Sequence, residues 1–376
     1  MKYPVLNLTK KLIKLQSVNA NDAGCQNIII DRLKKLQFNI EIFKFNNVTN
    51  LWAWRGKGKT LAFAGHTDVV CPGSFKNWKF LPFVPTIDNN MLYGVGVADM
   101  KGALASMVIA VENFIMNNPN HSNRIAFIIT SGEETNCING TKKIIEILKQ
   151  RHEIIDYCII GEPTSKFKIG DTIKNGRRGS LTANIEIFGK QGHVAYLNIL
   201  HNPIYQTTFF LKELVDLKWD NGNSYFSPTT MQITYINSGY TEYSNVVPNK
   251  LTLSINFRFN TKLTKNIISK KVDFLLNKYK LKYKIYWTLY GSPFITKIGK
   301  LGESIIKSIK FYQNMKPNIE TSGGTSDGRF IRDICDEIIE IGHINKTIHQ
   351  PNECIHINDL ITLSNIYQRV IENLFI

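Results

Sequence analysis

Apolar and polar positions follow two different patterns in the first half of the chain. Short apolar runs at 124–131 and 156–162 are rich in isoleucine and predict buried strands. At 99–116 and 139–150 the apolar residues recur with the spacing of helices. Strands that alternate with helices indicate crossover connections on a mostly parallel sheet. We therefore predict an α/β fold for this part of the chain.

The pattern changes near residue 180. From there the order of elements is strand, helix, strand, strand, helix, strand, which is typical of a ferredoxin-like α+β unit. The first pattern resumes after 292. We predict a catalytic domain with a mostly parallel central sheet, formed by 1–179 and 293–376, and an inserted lid or dimerisation domain at 180–292.

Composition narrows the function classes. The formal net charge of +16 would suit a nucleic-acid binder, but the lysines are spread along the chain and no nucleic-acid-binding motif accompanies them. No apolar run is long enough for a membrane span, and the N-terminal stretch lacks the pattern of a signal peptide, so we expect neither feature. The six cysteines form no CxxC pair, so we expect reduced thiols and a cytoplasmic location. From the charge distribution and the apolar runs, we expect neither nucleic-acid nor membrane partners.

Acidic residues and a histidine follow four apolar segments. A single acid at such a place is ordinarily a helix cap, and Asp99 by itself would be the N-cap of the helix that follows. Together these groups would repel one another at one edge of a sheet unless a cation neutralised them. Oxygen and imidazole ligands without thiolates suit zinc, manganese or cobalt. The residues concerned are His66, Asp68, Asp99, Glu133, Glu134 and Glu162.

Two ions that share one carboxylate need a further nitrogen ligand. The C-terminal part of the predicted catalytic domain offers His343, His349 and His356. Their spacing leaves the choice among the three open.

Nine short motifs resemble the M20 family of co-catalytic zinc amidohydrolases, and the resemblance runs nearly from end to end. It implies two divalent ions per subunit, Zn²⁺ with Co²⁺ as a substitute, and hydrolysis of an amide in an N-acyl amino acid or a peptide. The motifs are GHTDVV, GVGVADMKGALASMV, ITSGEE, IIGEP, NGRRGSLTANI, GKQGHVAY, SNVVPN, GGTSDGRFI and TIHQPNEC.

The same resemblance implies a role for each residue of the predicted centre. Asp99 would bridge the two ions, and His349 would be the further nitrogen ligand. Asp68 would orient the imidazole of His66, and Glu133 would be the general base. The implied ligands are His66, Asp99 and Glu162 for one ion, and Asp99, Glu134 and His349 for the other.

Beyond the metals, the resemblance implies a homodimer formed through the inserted domain. His193 of that domain would reach the partner's site and stabilise an oxyanion. A small, carboxylate-rich substrate is expected, which arginine side chains bind well. The candidate substrate-binding residues are Arg177, Arg178, Ser180, Tyr196, Asn245, Arg258, Gly324, Thr325, Arg329 and Asn345.

The sequence departs from the family pattern at four positions, Cys71, Val95, Gly132 and Leu197, none of which is an implied ligand. Two further interpretations remain open at this point. The chain could keep the scaffold as a non-catalytic binding module, or it could bind nucleic acid through its positive charge.

Overall fold

The computed structural model describes residues 3–135, 137–196, 198, 201–239 and 242–376, so Leu197 lies outside the described residues. Its helices are α1 (Pro4–Ile13), α2 (Cys25–Lys35), α3 (Gly102–Asn117), α4 (Thr141–Gln150), α5 (Pro203–Asp216), α6 (Lys265–Lys278), α7 (Lys300–Gln313), α8 (Gly328–Ile331) and α9 (Ile357–Phe375). Its strands are β1 (Asn39–Phe45), β2 (Val48–Arg55), β3 (Thr60–His66), β4 (Thr86–Asp88), β5 (Met91–Tyr93), β6 (Arg124–Thr130), β7 (Ile155–Ile160), β8 (Thr172–Lys174), β9 (Gly176–Arg177), β10 (Gly179–Phe188), β11 (Gly192–His193), β12 (Thr230–Ser238), β13 (Val246–Val247), β14 (Lys250–Phe259), β15 (Lys282–Gly291), β16 (Phe294–Ile295), β17 (Asn318–Glu320), β18 (Cys335–Glu340) and β19 (Cys354–His356).

The chain divides into two compact units. The first comprises Met1–Gly176, Ile295–Glu320 and Ser326–Ile376, and the second comprises Arg177–Phe294 and Thr321–Thr325. The sequence had suggested boundaries at 179/180 and 292/293. It gave no sign that the short segment after β17 groups with the inserted unit.

The first unit is built on an eight-stranded mixed sheet in the order β1-β2-β6-β3-β7-β18-β8-β17. The four central strands, β6, β3, β7 and β18, are parallel. Every residue of β3 is buried, as expected for a strand whose two faces are both covered. The predicted α/β fold with a largely parallel centre is confirmed.

Helix α3 forms the middle of the helical layer. Its sequence is apolar almost all round, and it packs against α1 and α9 with most of its side chains buried. The helix begins at Gly102, so Asp99 is not its N-cap. Residues 97–101 instead form an irregular turn with non-helical dihedral angles at Asp99 and Met100, and the Asp99–Met100 peptide bond is cis.

The second unit is a four-stranded antiparallel sheet in the order β12-β14-β10-β15, with helices α5 and α6. Apolar residues of β10 alternate with polar ones, and Leu181, Ala183, Ile185 and Ile187 are fully buried. They pack in one cluster with apolar side chains of α5 and α6. The strand and helix order is that of a ferredoxin-like unit, as predicted.

Candidate metal centre

Three neighbouring strands of the first unit bring the predicted ligands to one edge. His66 is the last residue of β3, Glu133 and Glu134 follow β6, and Glu162 follows β7. Since β6 and β7 are the two parallel neighbours of β3, their carboxyl ends meet at the same edge of the sheet. The expected convergence of these side chains therefore follows from the order of the strands.

The imidazole of His66 is almost completely buried and lies between polar groups on both sides. Its Nδ1 is 2.9 Å from the backbone oxygen of Asp68. Because a carbonyl can only accept, Nδ1 carries the hydrogen of the neutral ring and Nε2 keeps its lone pair. Nε2 points to acids: it is 3.3 Å from Oδ1 of Asp99 and 3.9 Å from Oε1 of Glu162.

A second imidazole approaches the same carboxylate from another direction. Nε2 of His349 is 3.2 Å from Oδ2 of Asp99 and 2.9 Å from Oε1 of Glu134. The two oxygens of Asp99 thus face different histidines. Ligand atoms of Asp99, Glu134 and His349 all lie within 4.8 Å of one another, which is close enough to hold one ion.

The other two C-terminal histidines have different surroundings. His343 is fully buried beside Gly102, and burial lowers its pKa to about 4. Nδ1 of His356 accepts a hydrogen bond from the backbone N–H of Asn358 at the start of α9. Of the three histidines that the spacing left open, His349 is therefore the one that contacts the acidic cluster.

Asp68 holds a neighbouring loop in place, which differs from the expected contact with His66. It lies beyond the end of β3, and its carboxylate accepts the backbone N–H groups of Glu134 at 2.9 Å and Glu133 at 3.3 Å. The distance from Oδ1 to Nδ1 of His66 is 3.7 Å, too long for a hydrogen bond. Only the backbone oxygen of Asp68 bonds the imidazole, so the carboxylate does not contact it in the way that the resemblance implied. Burial raises the pKa of Asp68 to about 6.

Adjacent residues of a strand point to opposite faces, which would separate the side chains of Glu133 and Glu134. They lie instead in a turn after β6, and oxygens of both are within 4.8 Å of one another and of His66. Desolvation, together with the negative charge of Glu162, raises the pKa of Glu133 well above its usual value. A carboxylate with a raised pKa is suited to accept a proton near neutral pH.

The chemistry of this donor set fits divalent cations. Oδ1 of Asp99 is buried and, among the described residues, has no hydrogen-bond partner. Hydrogen bonds to Asp99 and Glu134 raise the pKa of His349 to about 10, and Asp99 and Asp68 raise that of His66 despite its burial. The negative carboxylates around these imidazoles stabilise the protonated, positively charged form of each ring. A divalent cation bound by these oxygen and nitrogen atoms would neutralise the carboxylate charge in the same way.

The candidate substrate-binding residues fall in both units. In the second unit, Arg177 is buried and its Nη1 lies 3.3 Å from the backbone oxygens of Ser322 and Gly324. Ser180 and Arg258 face each other across β10 and β14. Nη1 of Arg178 is 3.4 Å from Oγ1 of Thr230, and Thr325 is half-buried beside Gly324.

His193 and Tyr196 lie together on the surface of the second unit. Their rings are 5.5 Å apart, and Tyr196 is 89% exposed. Asn245 contacts the same segment through its backbone oxygen, which accepts the N–H of Val194.

Arg329 and Asn345 belong to the first unit. The guanidinium of Arg329 lies 4.6 Å from the ring centre of Phe330, and its Nε and Nη1 have no hydrogen-bond partner among the described residues. The backbone N–H of Asn345 binds the oxygen of Ser165.

Residue-by-residue reasoning missed three buried charged groups around the centre. Glu353 binds the turn that carries Asp99, Lys101 donates to two backbone oxygens at the C-terminal end of α1, and Asp327 accepts a hydrogen bond from Thr141. All three lie inside motifs quoted above, and this position in a motif was the only feature of the sequence that could have pointed to them. Their partners come from distant parts of the chain.

This arrangement is that of a metal-dependent hydrolase, with acids and histidines at the carboxyl edge of an α/β sheet. Residues 62–373 match the model of peptidase family M20/M25/M40. The chain therefore belongs to this family.

Solved structures share the fold over nearly the whole chain. An M20 family metallo-carboxypeptidase from Sulfolobus solfataricus has a TM-score of 0.84 at 18% identity, covering 98% of this chain and 99% of its own. A tripeptidase from Staphylococcus aureus has a TM-score of 0.79 at 19% identity, with 98% and 97% covered. A dinuclear metal-binding M20 peptidase from Bacillus subtilis has a TM-score of 0.69 at 16% identity, with 99% and 98% covered.

None of the helices in the described part of the chain is both long and apolar enough to cross a membrane.

Proposed function

We propose that this protein removes the succinyl group from N-succinyl-LL-2,6-diaminopimelate, giving succinate and LL-2,6-diaminopimelate in diaminopimelate and lysine biosynthesis. The observation that carries the proposed chemistry is the position of Asp99, whose two carboxylate oxygens face His66 and His349. A single carboxylate between two imidazoles suits a shared ligand of two ions.

The proposed ligands form two sets that have Asp99 in common. His66 and Glu162 complete one set, and Glu134 and His349 complete the other. Imidazole and carboxylate ligands favour zinc, with cobalt as a substitute. Divalent ions held there would act as Lewis acids, which polarise a carbonyl and make water more acidic.

Glu133 is the proposed general base. It takes a proton from the attacking water while the water oxygen bonds to the amide carbonyl carbon. It then delivers the proton to the nitrogen as the C–N bond breaks, so that the amine leaves neutral. The raised pKa of Glu133 favours the first transfer, because the group can take up a proton near neutral pH and hold it until the nitrogen accepts it.

The substrate assignment rests on resemblance and on charge. NGRRGS, GGTSDGRF and TIHQPNE together resemble succinyl-diaminopimelate desuccinylases more than other M20 members. The proposed substrate has carboxylates at both ends, and arginine forks bind carboxylates bidentately. Arg177, Arg178, Arg258 and Arg329 are the arginines proposed for this task.

A second candidate is a deacylase or peptidase of the same family with another substrate, such as N-acetylornithine or a short peptide. It is favoured by the shared fold of a carboxypeptidase and a tripeptidase. Both candidates use the same metal centre, so they differ only in what the arginines and the inserted unit recognise.

The decisive experiment combines metal analysis with a comparison of substrates. The purified full-length protein is assayed on N-succinyl-diaminopimelate, N-acetylornithine and a tripeptide, before and after chelation and after zinc or cobalt is restored. We expect two ions per chain, the highest kcat/KM on the succinyl substrate and loss of activity on chelation. A higher kcat/KM on acetylornithine or the peptide would overturn the substrate assignment, and activity that resists complete metal removal would overturn the mechanism.

We also propose a homodimer formed through the second unit. Strand β12 is at the edge of its sheet and exposes Tyr235 and Ile236, each by about half. Helix α5 exposes Phe209 and Val215. Unpaired edge strands with apolar side chains are typical places for pairing with a second chain. In such a dimer His193 would assist the partner's site.

Sedimentation tests the dimer and activity tests the role of His193. Ile236→Lys and Phe209→Glu should convert a dimer to a monomer. If His193 acts in the partner's site, the monomer and His193→Ala should lose activity to a similar extent. A wild-type protein that is monomeric and fully active would refute this role. A cytoplasmic location is also proposed, since all six cysteines are free thiols.

A further inference from the structure

Glu353 connects the two chain segments that carry Asp99 and His349. Its side chain is buried, and its carboxylate accepts the backbone N–H groups of Gly96 at 2.6 Å, Ala98 at 2.8 Å and Asp99 at 3.1 Å. Its own backbone oxygen accepts the N–H of Gly94. One residue therefore forms four hydrogen bonds with the turn that ends in Asp99.

The turn at 94–99 needs this support because it is irregular. Gly96 has a left-handed φ of 76°, and a Cβ at this position would lie 2.3 Å from Cγ1 of Val69, so only glycine fits without rearrangement. The buried N–H groups of such a turn have no regular partners, and leaving them unpaired would be costly. The carboxylate of Glu353 supplies the acceptors, and the direction of the Asp99 side chain depends on this fixed backbone.

The backbone of Glu353 lies at the end of the loop that carries His349. Oγ1 of Thr347 closes this loop by bonding both the oxygen and the N–H of Cys354 at 3.1 Å. The loop is therefore short and closed, with His349 at one end and Glu353 at the other. Because Glu353 and His349 belong to one closed loop, we expect a movement of Glu353 relative to residues 94–99 to change the distance between His349 and Asp99.

We infer that Glu353 is a positioning residue that sets the separation of Asp99 and His349, and thereby the affinity of the ion position formed by Asp99, Glu134 and His349. The inference rests on the proposed function, since it concerns the same centre. Glu353 is not a proposed ligand: its carboxylate is engaged by backbone N–H groups. Residues that orient metal ligands in this way affect metal affinity by about 10–100-fold.

The chain offers a matched control in Glu337. Its buried carboxylate also accepts three backbone N–H groups, those of Gly299 at 2.7 Å, Leu301 at 3.1 Å and Gly302 at 2.8 Å, at the start of α7. Glu337→Gln and Glu353→Gln therefore replace the same kind of bonded carboxylate with an amide, which cannot accept at both ends. Only Glu353 contacts the turn that carries a proposed ligand.

The test is a metal titration of the full-length protein after chelation, with zinc or cobalt, followed by calorimetry. His349→Ala identifies the binding step that depends on the loop. We expect Glu353→Gln to weaken this step by about 10–100-fold and the other step less. Glu337→Gln should leave both steps unchanged, although urea unfolding of the metal-free proteins should show a similar loss of stability for both glutamine variants.

Unchanged metal affinity in Glu353→Gln, with the stability loss of Glu337→Gln, would overturn the inference. If Glu353→Gln does not fold, Glu353→Asp can replace it, because it keeps the charge on a shorter side chain. The binding step that depends on His349 should weaken in this variant as well, and unchanged affinity would overturn the inference. A wild-type protein with a single binding step would overturn the dinuclear proposal instead. The inference would then be judged on that one step, against the same control.

Discussion

The two histidines of the proposed metal centre lie in contrasting surroundings. His66 ends a fully buried strand at the centre of the sheet, and its side chain is 2% exposed. His349 lies in a loop with a left-handed φ of 58°, and its side chain is 48% exposed. A histidine on a central strand is fixed by the sheet itself, whereas a histidine on a loop depends on hydrogen bonds formed by other residues of that loop. The His66 side should therefore be rigid and the His349 side adjustable.

The largest effect should come from a residue that belongs to neither side. Glu133→Gln removes the proposed base without removing a ligand, so turnover should fall by about 10²–10⁴-fold while both ions stay bound. Steady-state kinetics together with metal analysis checks this. If near-native turnover persisted with full metal content, the base would have to be another residue.

Asp68→Asn tests support of the loop that carries Glu133 and Glu134. An amide cannot accept both N–H groups, so we expect kcat/KM to fall by about 10–100-fold. Asp171→Asn is the control, because Asp171 accepts the N–H groups of three residues in an exposed loop, 166–168. Equal kinetic losses in the two variants would show that the bonds of Asp68 have no special role.

The contrast between the histidines can be measured directly as stability of the metal-free protein. His66→Ala leaves buried acids without their partner, which should lower the free energy of unfolding by about 2 kcal/mol or more. His349→Ala removes a half-exposed side chain and should cost no more than about 1 kcal/mol. Urea unfolding after chelation gives both values. A larger loss of stability in His349→Ala than in His66→Ala would contradict a rigid His66 side and an adjustable His349 side.

A smaller effect should appear in the pH dependence of the metal-free protein. The pKa of His349 is raised to about 10, so its stabilising contribution is complete below about pH 6.5 and is lost as pH rises through 10. The raised pKa of Asp68, about 6, acts in the same direction between about pH 4 and 6, because its ionisation is disfavoured in the folded state. Unfolding measured at pH 6, 8 and 10 should show declining stability, and His349→Ala should flatten the decline. A free energy of unfolding that rises from pH 6 to pH 10 would contradict the stabilising contribution of protonated His349.

The same contrast explains what the sequence could predict. His66, Glu133, Glu134 and Glu162 follow apolar strands, and strand order alone brings them to one edge. The position of Asp99 was harder to predict. The sequence suggested a helix cap there, but the structure has a turn with non-helical dihedral angles before α3. The choice of His349 came from the family resemblance and not from spacing.

The supporting contacts were beyond sequence reasoning. Glu353 bonds the N–H of Asp99 across 254 positions of the chain, and Asp68 bonds the N–H of Glu134 across 66. A carboxylate that will be buried against backbone N–H groups has no local pattern that distinguishes it from a surface acid. Such contacts depend on how distant segments pack, as the side chain of Asp68 shows.

The long separation between Asp99 and Glu353 has a consequence for biosynthesis. During translation, the segment that carries His349 and Glu353 emerges only after the whole inserted unit has been made. Until then a nascent chain lacks both His349 and the carboxylate that holds the turn with Asp99, the ligand proposed to be shared by both ion positions. The proposed ion position formed by Asp99, Glu134 and His349 can therefore form only after the C-terminal part of the first unit has been synthesised.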